Sequence, residues 1–233
     1  MRLILPLLIL AQGCFAQICL PEAQPQPNSA YAYVRAEVKA LHWIRAALAE
    51  SQKIESPRVD DPERLHKLVT LYSASETVSD DYTCAASMLE KYKDSKIESI
   101  GTSVVTLLVA INTTKEINAK LLSLMEAINK ATKPEDIDQV EIAKLLGNVQ
   151  AMQKDVRTMA MLGVKMSTFA IVQTEGEGDS AKPVAFTITP AQRATLLAEV
   201  QELAKKQTIN TYVDACADLL LGTLNRPLRT SPQ

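Results

Sequence analysis

Apolar residues recur every three or four positions along most of this chain, which is the spacing of helices that bury one face. The pattern predicts a first helix over residues 29–53 and a second helix over residues 62–93. The clearest repeats cover residues 100–128 and 142–166, where the steps alternate between four and three. An average step of about 3.5 residues is typical of helices that pack side by side in a bundle.

Two polar residues interrupt the apolar row of the third helix. Thr114 and Asn118 occupy positions that the repeat assigns to the packed side of this helix. A polar residue at such a position either fixes the register between helices from inside the bundle or faces a solvated edge. The sequence leaves both interpretations open.

The helical spacing stops after residue 168. Residues 169–172 and 184–188 are β-favouring runs on either side of a polar segment, which predicts a short β-hairpin or an irregular crossover. A last helix is predicted over residues 189–225, with Thr189 as its cap. The expected fold is therefore all-α, an elongated up-and-down bundle of about five long helices, with the hairpin between helices four and five.

The first residues have the layout of a secretory signal peptide. Residues 1–16 combine a positive start at Arg2, an apolar run over 3–11 and small residues before a cleavage point. We therefore expect an exported chain that works in the periplasm or outside the cell. Two alternatives stay open: a lipid anchor attached through Cys14, and an uncleaved apolar anchor over residues 3–20.

The rest of the chain divides by composition. Residues 17–28 are rich in proline and read as an extended tether. Residues 29–226 form the predicted helical bundle domain, and residues 227–233 are expected to be a frayed tail.

Composition and charge exclude some classes of protein. With 4% aromatic residues and 7 glycines, the chain lacks the turns and β-formers of a sandwich or barrel. The net charge is −2, and acidic and basic residues interleave. Nucleic-acid binding requires a basic patch or stripe, so no nucleic-acid partner is expected.

Cleavage of the leader would leave three cysteines, Cys19, Cys84 and Cys216. If the helices alternate in direction, Cys84 and Cys216 lie at different levels of the bundle, although a kink of the second helix over residues 79–81 would reopen the other pairings. A disulfide tolerates no more than about 7 Å between Cα atoms, so these levels favour a Cys19–Cys84 bond with Cys216 as a buried thiol. The alternative is that all three remain reduced.

Candidate chemistry is sparse. The chain has two histidines, His42 and His66, and they do not form a His-x3-His pair. No Cys-x2-Cys pair occurs either, so the sequence gives no support for a zinc site. Met152, Met159 and Met166 repeat every seven positions, with Met161 nearby, which indicates a buried row rather than a copper site. The acidic residues over 175–179 lack the other positions of a calcium loop. No nucleophile or phosphate-binding motif occurs, so we expect no catalytic residue, no cofactor and no enzymatic activity.

Two functions fit these observations. The first is an interaction or structural module of the cell envelope, with another envelope protein or a second copy of the chain as its partner. The second is a membrane-active protein that uses the apolar hairpin over residues 169–188, a layout that resembles the α-helical pore-forming toxins. In either case the candidate contact residues are Phe169, Ile171, Val184 and Phe186. Membrane contact is the less favoured of the two.

Overall fold

The computed structural model describes residues 19, 26–51, 64–130, 138–175, 182–186, 188–205 and 211–226. Within this part of the chain the elements are α1 (Ala30–Ser51), α2 (Arg64–Glu90), α3 (Glu98–Lys130), α4 (Gln139–Ile171), β1 (Val172–Glu175), β2 (Lys182–Phe186), α5 (Pro190–Lys205) and α6 (Tyr212–Leu224). The all-α class predicted from the sequence is confirmed. The predicted leader over residues 1–16, its lipid-anchor alternative at Cys14 and the predicted tail over 227–233 lie outside the described residues.

The longest pair of helices, α3 and α4, has 33 residues in each member, which corresponds to roughly 50 Å at the ordinary helical rise. Asp138 caps α4, because its side chain accepts hydrogen bonds from the backbone N–H groups of Val140 and Glu141. The two helices approach closely where Gly163 faces Leu107. A Cβ atom on Gly163 would lie 2.7 Å from Cγ of Leu107, so this crossing accepts only a residue without a side chain.

The core follows the apolar rows read from the sequence. Ile111 of α3 and Val149 of α4 are both buried, as the repeat predicts. Helix α1 packs against α2 and α5 and touches α3, α4 and α6, so it lies at the centre of the bundle. Its largest fully buried side chains are Tyr33, Leu41 and Ile44.

The prediction of a single last helix over residues 189–225 was wrong. The chain forms α5 and α6, which run antiparallel, since the guanidinium group of Arg193 near the start of α5 donates to the carbonyl of Leu224 at the end of α6. A new helix starts at Thr211 because a capping box forms there. The backbone N–H of Thr211 donates to Oδ2 of Asp214 at 2.6 Å.

Strands β1 and β2 pair antiparallel between α4 and α5, with Val172 opposite Phe186. The register shifts between Gln173 and Thr174. Helix α4 continues to Ile171, so the first β-favouring run of the sequence is helical in all but its last residue.

Candidate functional site

A groove of about 830 Å³ runs between the C-terminal half of α4 and α6. We call it the α4–α6 groove. Three charged residues line it: Lys165, Asp218 and Arg226. The apolar part of the lining is formed by Met161, Leu162, Phe169, Val172, Ala215 and Leu219. An apolar floor with a polar rim is the usual composition of a surface that binds another molecule.

Two large apolar side chains of α4 stand open to solvent at this groove. Leu162 is 46% exposed and Phe169 is 52% exposed. Residues seven apart lie on the same side of a helix at about 10 Å from each other, so both side chains face the groove, with the charged Lys165 between their positions. Single exposed apolar residues are ordinary, whereas two of them at one groove indicate an interaction surface.

The structure separates the four contact residues named from the sequence. Phe169 lies at the groove, but Ile171 is fully buried, so the expectation that both residues share one surface was wrong. The physical reason is the period of the backbone. In a strand, residues two apart point to the same face, whereas in the helix that is present they point about 200° apart. The predictions for the side chains of Val184 and Phe186 fall outside the described residues.

The most unusual electrostatic feature is a buried carboxyl group, that of Glu37 on α1, which has no exposed surface. Ser167 of α4 donates to its Oε2 atom at 2.7 Å, and Ser103 of α3 lies 3.3 Å from its Oε1 atom. The hydroxyls of Tyr33 and Ser103 are 2.7 Å apart, and Ser103 also reaches the carbonyl oxygen of Gly163 at 2.7 Å. We call these groups the Glu37 cluster.

Burial controls the ionisation of this cluster. Loss of solvent raises the pKa of Glu37 to about 8, although hydrogen bonds from Ser167, Ser103 and Tyr33 oppose the shift. Glu37 is therefore mainly neutral at pH 7 and can donate its own proton to a serine hydroxyl. Burial also raises the pKa of Tyr33. The hydrogen bonds of this cluster join α1, α3 and α4. The carboxyl group of Glu37 itself is closed to solvent.

Glu37 was missed in the sequence, although a signal for it existed. It lies three residues after Val34 and four before Leu41, both of which belong to the buried face of α1. A glutamate placed within an apolar row at helical spacing is a candidate buried acid.

The structure joins Cys19 to Cys84 by a disulfide, with Cα atoms 5.4 Å apart. This is the pair expected from the sequence. The predicted separation of Cys84 from Cys216 required one continuous last helix, whereas the structure has the two helices α5 and α6 there. Cys216 is a buried free thiol, and burial raises its pKa to about 12.

The remaining candidate ligands stay scattered. Across the described ranges, no group of three or more His, Cys, Asp or Glu residues could hold a metal ion. The expected burial of the methionine row is only partly right, since Met159 is 38% exposed. The side chain of His66 and most of the acidic run over 175–179 lie outside the described residues.

Comparison with known proteins gives no relative. No protein-family model, no curated protein and no solved structure matches this chain. Among the described helices, none contains a stretch long and apolar enough to cross a membrane.

Proposed function

We propose that this chain is an exported, non-enzymatic binding module of the cell envelope, and that its α4–α6 groove receives an apolar segment of a partner protein. The observation that carries this proposal is the exposure of two large apolar side chains, Leu162 and Phe169, at a groove of about 830 Å³. The layout of the leader over residues 1–16 supports export.

Charges around the groove support a protein partner. Lys165 and Arg226 are basic and Asp218 is acidic, so the rim carries both signs. Mixed charges at a rim orient a partner and exclude wrong ones, while the buried apolar centre supplies most of the affinity. We expect the bound segment to place one or two large apolar side chains between Leu162 and Phe169.

A pull-down from the envelope fraction tests this proposal. The full chain with a C-terminal tag is compared with its Leu162→Asp and Phe169→Asp variants. A charge in the centre of the interface should reduce partner recovery by about tenfold or more. Circular dichroism checks that each variant keeps its helix content.

Val140→Asp is the matched control, because Val140 is an 80% exposed apolar residue at the opposite end of the same helix. It should leave recovery unchanged. Equal recovery with all three variants would refute the groove as the binding surface. Recovery of the tagged chain's own untagged copy would identify the partner as a second copy.

A membrane-active role is the second candidate, because exposed Phe169 lies close to the β1–β2 pair. Leakage of a dye from liposomes separates the two functions. Leakage that Phe169→Asp and Phe186→Asp abolish, and Val140→Asp does not, would favour membrane activity. An absence of leakage with the unmodified chain would remove it.

A further inference from the structure

A second, half-open cavity lies between the helices of the bundle, away from the α4–α6 groove. Its volume is about 260 Å³, and α1, α2, α3, α4 and α6 all contribute to its walls. Apolar side chains form much of the lining, among them Leu48, Val78, Ile117 and Val156. We call it the Tyr212 cavity.

One polar group at this cavity lacks a well-formed hydrogen bond. The hydroxyl of Tyr212 is buried and meets no partner at ordinary hydrogen-bond geometry within the part of the chain that the structure describes. Burial raises the pKa of Tyr212, and the hydroxyl of Thr114, which itself donates to the carbonyl of Ala110 at 2.8 Å, lies close enough to oppose that rise. A buried hydroxyl with a poorly formed hydrogen bond is unfavourable, and a ligand that brings a well-placed acceptor oxygen removes that cost.

The described lining indicates which ligands fit. Among the described residues that line the cavity, none has a charged side chain, and the polar groups are hydroxyls and the amides of Asn118 and Gln153. A charged molecule would therefore lose its hydration without gaining an ion pair. An apolar cavity of about 150 Å³ is enough for benzene, so the larger Tyr212 cavity has room for a substituted ring.

We propose that the Tyr212 cavity binds a small uncharged molecule that is largely apolar and presents one acceptor oxygen to the hydroxyl of Tyr212. Thr114 and Asn118 belong to this site as polar residues of an otherwise apolar wall. The site does not depend on the α4–α6 groove, and either can fail without the other.

Two probes of nearly equal shape test the acceptor. Acetophenone carries a carbonyl oxygen where α-methylstyrene carries a CH2 group. Each is titrated into the full chain, and backbone amide shifts are followed by NMR. We expect shifts at residues of the Tyr212 cavity and tighter binding of acetophenone, by roughly 3–10-fold, because a hydrogen bond has that value.

Three variants complete the experiment. Tyr212→Phe should remove the preference for acetophenone and leave α-methylstyrene unaffected. Tyr31→Phe, which changes a tyrosine that does not line the cavity, should alter neither affinity. Val156→Phe should fill the space and reduce the binding of both probes, with thermal unfolding as the check that it folds.

Two results would overturn the proposal. In one, neither probe shifts the cavity residues of the unmodified chain at millimolar concentration. In the other, acetophenone binds the Tyr212→Phe variant as tightly as the unmodified chain, which would assign the hydroxyl to ordered water rather than to a ligand.

Discussion

The Glu37 cluster and the Tyr212 cavity both place polar groups between packed helices, but they differ in how those groups are satisfied. Around Glu37, hydroxyls from α1, α3 and α4 converge on one carboxyl group within hydrogen-bonding distance. Around Tyr212, a buried hydroxyl at a cavity forms no hydrogen bond of ordinary geometry among the described residues. A fully satisfied buried network rigidifies the core, whereas a partly satisfied one is unfavourable. The first region therefore contributes to stability, and the second is the one where we propose that a ligand binds.

The largest expected effect is the pH dependence that Glu37 gives to stability. Its pKa is about 8 in the folded chain and about 4.5 in the unfolded one. The folded state therefore holds the proton more tightly, so the stability that Glu37 contributes is fully present below about pH 4.5 and is lost as the pH rises to about 8. The loss approaches about 1.4 kcal/mol per pH unit within this window.

Glu37→Gln removes this titration and keeps a group that can bond to the serines. Between pH 5 and pH 9 we expect the unmodified chain to lose a few kcal/mol of unfolding free energy that the variant keeps. Urea unfolding of both proteins at both pH values measures this difference. If the difference in unfolding free energy is the same at both pH values, the carboxyl group of Glu37 is hydrated. The Glu37 cluster and the Tyr212 cavity would then no longer differ in the way described above.

The next effect concerns the crossing of α3 and α4 beside Glu37. Gly163→Ala places a methyl group against Leu107 and 3.3 Å from the backbone carbonyl oxygen of Ser103, so we expect a loss of about 1–3 kcal/mol. Gly147→Ala on the same helix is the control, because a Cβ atom there meets nothing within 4 Å. It should stabilise the chain by up to about 1 kcal/mol, since alanine favours helices over glycine. Equal effects in thermal unfolding would contradict the close crossing.

The smallest effect is expected at Tyr212. Removing a hydroxyl without a well-formed hydrogen bond leaves no group stranded, so Tyr212→Phe should change the unfolding free energy by less than about 0.5 kcal/mol, or raise it. The measurement is urea unfolding without added probe. A loss above about 1 kcal/mol would mean that the hydroxyl already has a firm partner, and the two regions would then be alike.

The sequence predicted what depends on local periodicity and missed what depends on distant contacts. The rows through Ile111 and Val149 identified α3 and α4, because each long helix repeats its own signal many times. The separate start of α6 was missed, although Thr211 and Asp214 have the spacing of a capping box. Ile171 was misplaced because a short apolar run does not distinguish a strand from the end of a helix.

In the candidate sites, too, residues recognised from their own segment were predicted, and groups brought together from distant segments were not. Phe169 was identified from its own segment, whereas the Glu37 cluster needs Ser103 and Ser167, which are 66 and 130 residues away in the chain. Thr114 and Asn118 were noticed as polar interruptions, with two interpretations left open. Only the packing of five helices places them at the wall of a cavity.

The disulfide between Cys19 and Cys84 makes the folding of this chain sensitive to its surroundings. The bond connects positions 65 residues apart, and closing a loop of that length lowers the entropy of the unfolded chain by an amount equivalent to about 4 kcal/mol. In an oxidising compartment that restriction favours the native state. In a reducing one the same sequence would start from a freer ensemble and fold to a less stable product, so the compartment itself would decide how much native protein accumulates.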